Sequence, residues 1–240
     1  MLYADTNSNE AVVLWDAHTG ALLYTFPATV IACYGITWSP DSMRFAVGGN
    51  KLCIWDVASK KRLVQYSFPN GEPFSVAWSP DGRMIAVLEN TRRLEQYMHV
   101  WDVQSEKIVF TSPVADEFLV GDFAWASDSK RLAIGLKGSL TYLVSVSVQV
   151  WDISTEQQIL QCQGHWGAVF SIAWSPDGTR FATAGYDRTV QVWNAATGAR
   201  LLIYQEHAFP VMSVAWSPEG FSLASGDRSG QIVIWDAPSL

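Results

Sequence analysis

Positive charge is scarce in this chain, and so are cysteine, histidine and unbroken apolar runs. Sixteen Lys and Arg stand against 23 Asp and Glu, a net charge of −7 at pH 7. A chain of that sign has no electrostatic grip on nucleic-acid phosphates or an anionic bilayer, so the expected partners are proteins, with no nucleic acid and no membrane. The cysteines, Cys33, Cys53 and Cys162, are odd in number and far apart, and no C-x-x-C pair points to zinc or thiol redox chemistry. They suit a reducing compartment, packed as small apolar residues. The opening stretch "MLYADTNSNEAVVLWD" has no basic segment followed by an apolar one, and "SLTYLVSVSVQVW" is too short and too often broken by Ser and Thr to cross a bilayer. A cytoplasmic location is therefore expected.

Catalytic signatures are missing as well. His165, Ser171 and Asp187 have the residue types of a hydrolase triad, but there is no G-x-S-x-G elbow. "AVGGN" and "PNGEP" hold turn glycines and not a phosphate loop. The histidines His18, His99, His165 and His207 are dispersed, so neither a metal nor a cofactor is expected. Arg92 and Arg93 read as a solvated loop or a contact point.

What the chain does have is tryptophan, twelve in all, and 49% hydrophobic residues, enough for a substantial core. Two short phrases recur. The first is "ITWSPD" at Trp38, "VAWSPDG" at Trp78, "FAWASDS" at Trp125, "IAWSPDG" at Trp174 and "VAWSPEG" at Trp216. The second ends strands at Trp15, Trp55, Trp101, Trp151, Trp193 and Trp235 as "WD", or once "WN". Every tryptophan but Trp166 falls in one of them. The second series advances by 40, 46, 50, 42 and 42 residues, the period of four-stranded propeller blades. In "SPDG", Pro presets φ, Asp bonds the backbone ahead and Gly accepts positive φ, which makes a hairpin turn. No stretch carries a sustained helical period, so the expected fold is all-β.

With phrase, order and period in agreement, the sequence closely resembles the WD-repeat (WD40, β-transducin-like) family of β-propellers over nearly its full length. The best unit is "GHWGAVFSIAWSPDGTRFATAGYDRTVQVWN". The resemblance implies four-stranded antiparallel blades in one domain over 1–240, with repeats at 21–56, 61–102, 107–152, 157–194 and 199–236, each offset so that its first strand closes the preceding blade. Residues 11–16 are read as the third strand of an earlier blade whose first two strands are missing. The ring is then incomplete or open, unless 21–26 close the last blade and displace 11–16; an open edge invites self-association.

The family's structural hydrogen-bond chain, carried over, implicates His165, Thr183, Asp187 and Trp193. In the last unit it implicates His207, Ser225, Ser229 and Trp235, with Ser229 standing where the family has Asp and a weaker chain expected. The family's top-face position, four residues before the Trp of "WSPD", corresponds to Tyr34, Phe74, Gly121, Phe170 and Met212. Trp166 and Tyr186 are expected beside it, so that an aromatic rim faces a protein partner. The resemblance therefore implies a non-enzymatic interaction scaffold, as the C-terminal propeller portion of a larger regulatory protein. The alternative is an accessory propeller of a multidomain kinase or peptidase. A glycosidase-type propeller is a poorer fit, because the sequence places no cluster of acids and arginines at the channel.

Overall fold

The computed structural model describes residues 2–6, 12–26, 33–91, 95–113, 119–137 and 145–238, and all regular structure within them is β-strand. The domain expected over 1–240 divides into two compact units, Met1–Pro113 and Val114–Leu240.

The first unit holds three antiparallel meanders. One comprises β1 (Leu2–Thr6), β2 (Val12–Asp16) and β3 (Leu22–Phe26); the next, β4 (Cys33–Trp38), β5 (Arg44–Gly49), β6 (Leu52–Asp56) and β7 (Arg62–Tyr66); the third, β8 (Gly71–Trp78), β9 (Met84–Thr91), β10 (Gln96–Asp102) and β11 (Lys107–Pro113). The second unit repeats the plan with β12 (Val120–Trp125), β13 (Arg131–Leu136), β14 (Ser145–Asp152) and β15 (Gln157–Trp166), then β16 (Val169–Trp174), β17 (Arg180–Gly185), β18 (Val190–Asn194) and β19 (Arg200–Tyr204). It ends with the three-stranded β20 (Val211–Trp216), β21 (Ser222–Asp227) and β22 (Ile232–Asp236).

Two sequence expectations need correction. The first blade does not lack both strands before 11–16, because Leu2–Thr6 pairs with Val12–Asp16 in register Leu2↔Asp16 to Thr6↔Val12. Residues 22–26 also do not leave 12–16, since β3 pairs with β2 from Val12↔Phe26 to Trp15↔Leu22.

Local chemistry explains the repeated turns. In "WSPD" the Ser hydroxyl donates to the Asp two residues on, as Ser79 does to Asp81 at 2.7 Å, and it accepts the N–H that resumes the next strand, as from Met84 at 2.9 Å. In "WD" the carboxylate caps the following turn: Asp16 Oδ1 accepts the N–H groups of His18 and Thr19 at 2.8 and 2.9 Å. Asn194 does the same for Ala196 and Thr197, because its amide oxygen is an equivalent acceptor.

The two phrases also stitch neighbouring sheets within each unit. The guanidinium of Arg44 lies 5.3 Å from the ring centre of Trp78, that of Arg131 4.8 Å from Trp174, and that of Arg180 4.8 Å from Trp216. The indoles of Trp174 and Trp216 donate to the carbonyls of Ala124 and Ala173 on the preceding sheet, both at 3.0 Å. Between them lies a dry core: Ala182, Ala184, Val190 and Val192 of one blade pack on Val211, Val214 and Leu223 of the next, all buried.

Register is interrupted at two recurrent places, both of them present in the four-stranded sheets. Where the third strand meets the fourth, a bulge falls just before the Trp, at Leu14/Trp15, Ile54/Trp55, Val100/Trp101, Val150/Trp151 and Val192/Trp193. In the innermost strand the ladder skips Tyr34, Phe74, Gly121, Phe170 and Met212. A bulged residue leaves the alternation of the strand, so its side chain is re-aimed.

Phe181 is fully buried and packs between Trp174 and Trp193 at centroid distances of 5.3 and 6.3 Å. Phe181→Ala is expected to cost about 3–5 kcal/mol in urea unfolding. Phe221→Ala, at a residue 77% exposed, should change stability by no more than about 0.5 kcal/mol.

Candidate functional site

In the second unit the outer strand of one blade runs on into the first residues of the next repeat. β15 pairs with β14 as far as Val146↔His165 and Ser145↔Trp166, so "GHW" is the end of a strand. This delivers His165, buried, to the β17–β18 turn of the neighbouring sheet. His165 Nδ1–H donates to Asp187 Oδ2 at 2.9 Å, and Nε2 accepts the Thr183 hydroxyl at 2.7 Å. Trp193 Nε1–H donates to the same hydroxyl oxygen at 2.9 Å. The carboxylate only accepts, which fixes the imidazole tautomer and aligns the whole chain of donors. Asp187 also accepts the backbone N–H of Trp166 at 2.9 Å and the hydroxyl of Thr189 at 2.8 Å. Burial by itself raises the Asp187 pKa, but the His165 hydrogen bond, with the Trp166 and Thr189 bonds, outweighs it and holds the carboxyl below its usual range.

The four residues proposed for this blade are thus brought together. Ser171, the nucleophile of the alternative triad, is engaged away from His165. Its hydroxyl oxygen accepts the Val214 N–H at 3.3 Å and ties β16 to β20. A glycine is required at 185, where a Cβ would stand 2.7 Å from His165 Nδ1.

The last blade solves the same problem differently. His207 Nε2 accepts from Ser225 at 2.7 Å and Trp235 Nε1–H donates to Ser225 at 3.3 Å, as the aligned positions suggest. The carboxylate, however, comes from Asp227. It accepts from His207 Nδ1 at 3.1 Å, while Ser229 donates its hydroxyl to Asp227 at 2.6 Å. Ser229 therefore serves the acid and does not replace it, and this blade keeps a complete chain. Asp227 was missed because it stands at the position of Gly185. Both residues donate the N–H that closes the turn, Gly185 N–H to Thr189 O and Asp227 N–H to Gln231 O.

A third network went unseen in the sequence. In the β8–β11 sheet, Glu89 is fully buried and accepts His99 Nε2–H at 2.7 Å and the Asn70 N–H at 3.0 Å; His99 Nδ1 accepts the Thr111 hydroxyl at 2.9 Å. Glu89 catches the entry loop here as Asp187 catches Trp166. Its signal was a Glu and a His on adjacent strands of a hairpin, at positions where apolar residues alternate. Among the described residues no group of three or more His, Cys, Asp or Glu is arranged to hold a metal ion. Burial raises the Cys162 thiol to about 11, so it is inert at neutral pH.

Around the second unit's networks lies an exposed aromatic strip. Trp166 is 63% exposed and Tyr186 48%, with Phe170 half-buried against Tyr186 at a centroid distance of 6.5 Å, edge-on. Gly167, at φ +91°, lies under the Tyr186 ring, where a Cβ would be 3.1 Å from Cδ1. On the adjoining β20, Met212 is 44% exposed, and Phe209, which the sequence reading did not select, is 51% exposed. Gly121 contributes no side chain because a Cβ there would fall 1.7 Å from the Val169 carbonyl oxygen. Phe74, 44% exposed, belongs to the first unit. The side chain of Tyr34 and the residues Arg92 and Arg93 lie outside the described set.

Residues 156–194 and 198–236 match the family model "WD domain, G-beta repeat". Over 188 residues the chain is 29% identical to "Protein HIR1" of Cryptococcus neoformans var. neoformans serotype D, covering 66% of this chain and 20% of that one. It is 26% identical over 174 residues to "Intraflagellar transport protein 80 homolog" of Rattus norvegicus (72% and 20%), and 29% identical over 156 residues to "Coronin-7" of Homo sapiens (60% and 16%). The chain thus spans about a fifth of the length of these curated relatives.

Asp187→Asn is expected to cost about 1–3 kcal/mol at pH 7. Because the folded-state pKa of Asp187 is depressed, its contribution is present above the ordinary carboxylate pKa and is lost as pH falls through the folded value. Urea midpoints of the parent should therefore drop below about pH 4, with a shallower drop in the variant. Taken together, the matched model, the recurrent phrases and the blade-by-blade sheets identify WD repeats at 156–194 and 198–236 of this chain.

Proposed function

We propose that the chain is a protein-interaction scaffold without catalytic chemistry of its own, the propeller portion of a larger regulatory protein in a reducing, cytoplasmic setting. One observation carries the reading. The side chains that leave the β-ladder at each inner-strand bulge include Phe170, which packs edge-on against Tyr186, and Met212, which is exposed in the same unit as Trp166, Tyr186 and Phe209. Aromatic and Met side chains on a rigid support make good anchors for a protein partner, because they bury much area at little entropic cost. The support is rigid because Trp166 is bound through its own N–H to the half-buried Asp187. The His165–Asp187 pair, which resembles a catalytic base and its orienting acid, spends both imidazole nitrogens on Asp187 and Thr183. Among the described residues no helix is long and apolar enough to cross a membrane. β22, with Ile232 and Ile234 each 74% exposed, carries no fourth strand among the described residues of its sheet, and self-association through that edge is part of the proposal.

The paired substitution Trp166→Ala and Tyr186→Ala should abolish retention of a partner in affinity capture from the host extract, while shifting the urea unfolding free energy by no more than about 1 kcal/mol. Undiminished capture by a folded double variant would remove the strip from the interface.

A further inference from the structure

The last sheet of the second unit stops one strand short of its neighbours. β20, β21 and β22 form a three-stranded sheet, whereas the two sheets before it carry a fourth strand, β15 and β19. Among the described residues β22 therefore has a free edge. Val190 and Val192, three places and one place before Trp193, are fully buried. Ile232 and Ile234, at the same places before Trp235, are each 74% exposed. The opposite face of β22 is already occupied, with Trp235 stacked on Tyr204 at a centroid distance of 4.8 Å.

The ladder decides which backbone groups face the free side. Asp227 donates its N–H to Gln231 O and Ala237 donates its N–H to Phe221 O, so Gln231, Val233, Trp235 and Ala237 turn their backbone groups toward β21. The alternate residues Ile232 and Ile234 turn theirs outward. Edge strands are commonly blunted by Lys, Pro or a bulge. Gln231–Trp235 contains neither residue, and β22 runs without a bulge, whereas β15 and β19 each have one.

The strand is also its own complement. Read in either direction from Val233, the order is Val then Ile. In an antiparallel pair with Val233 opposite its own copy, each Ile232 lies opposite Ile234 of the second copy, on the same face, and the two exchange both N–H···O bonds through the groups that point outward. No charge lies between Gln231 and Trp235, and Asp236 falls opposite Gly230 and not opposite another Asp236. Sliding the pair by two residues sets an isoleucine against Asp236 or Gly230, which selects the register centred on Val233.

We propose that β22 pairs antiparallel with β22 of a second copy of this chain, about a two-fold axis at Val233, so that the last sheets of two molecules become one continuous sheet. The proposal rests on the self-association put forward with the scaffold reading and gives it an occupant, a symmetry and a register.

Sedimentation equilibrium of the full chain should show a reversible dimer with a dissociation constant on the order of 10 µM, because short strands bury little area. Ile234→Lys, at an exposed position, should leave the protein folded and weaken the dimer at least about tenfold. Val233→Cys sets two thiols across a non-hydrogen-bonded pair, where side chains of an antiparallel ladder come closest, so mild oxidation should give a covalent dimer on a non-reducing gel. Gln231→Cys should not, because its two copies stand ~14 Å apart along the strands in this register. The parent, oxidised in parallel, accounts for the native cysteines. Three results would overturn the assignment: a parent that stays monomeric up to about 200 µM, an Ile234→Lys protein with undiminished dimerisation, or a Gln231→Cys protein that cross-links as readily as Val233→Cys. If any of these occurs while the Trp166/Tyr186 variant still loses its partner, strand pairing falls and the scaffold reading stands.

Discussion

The carboxylate held by a buried histidine at the junction of two sheets is the interaction on which the second unit depends. A meander satisfies its own backbone groups along each ladder, but nothing in a ladder fixes where the next sheet begins. In this protein that task falls to Asp187, which bonds His165 and the Trp166 N–H from the end of one sheet while anchoring the turn of the next through Thr189. Thr183 then passes the constraint on to Trp193 in the third strand. The same atoms that set the junction also orient the exposed face, since Trp166 follows His165 and Tyr186 precedes Asp187.

The physical requirement is for an acceptor at the junction, and three sheets meet it with three different residues. Asp187 reaches the histidine from the tip of a turn, Asp227 from two positions earlier, and Glu89 from within a strand toward a histidine on its own sheet. The substitutions have consequences. In the β8–β11 sheet the position equivalent to Thr183 is Val87, paired with His99 as Thr183 is paired with Gln191. The indole of Trp101 is accordingly left buried without an acceptor, while those of Trp193 and Trp235 are satisfied. The network of this sheet secures the loop through Asn70 but does not extend to its Trp.

Much of this organisation was legible in the residues. The "WSPD" and "WD" phrases are turn chemistry, and their spacing marks strand ends directly; Asn194 shows that the second phrase needs only a side-chain oxygen. What escaped the sequence was whatever depends on pairing across strands. "LYADT" bears neither phrase, and Leu2–Thr6 is a strand only because β2 offers it an edge. Asp227 was overlooked because the acid was sought at a fixed distance from Trp235, whereas it enters two residues earlier, at the end of β21, across a turn of the same length. The Glu89–His99 pair spans a hairpin, so neither residue stands out from its neighbours until the register sets them diagonally across from each other. The inner-strand bulges were invisible in the apolar alternation. The residues that they re-aim were located through the family resemblance, not by any local signal.

The central claim is that His165, Asp187, Thr183 and Trp193 act as one connected unit across the sheet junction. The most direct test is a double-mutant cycle between Asp187→Asn and Trp193→Phe, whose side chains are linked through His165 and Thr183. Urea unfolding of the parent, both single variants and the double variant should give a coupling energy of at least about 1 kcal/mol. Additivity to within about 0.3 kcal/mol would contradict the account, because it would make the four residues independent local contacts and not a strut.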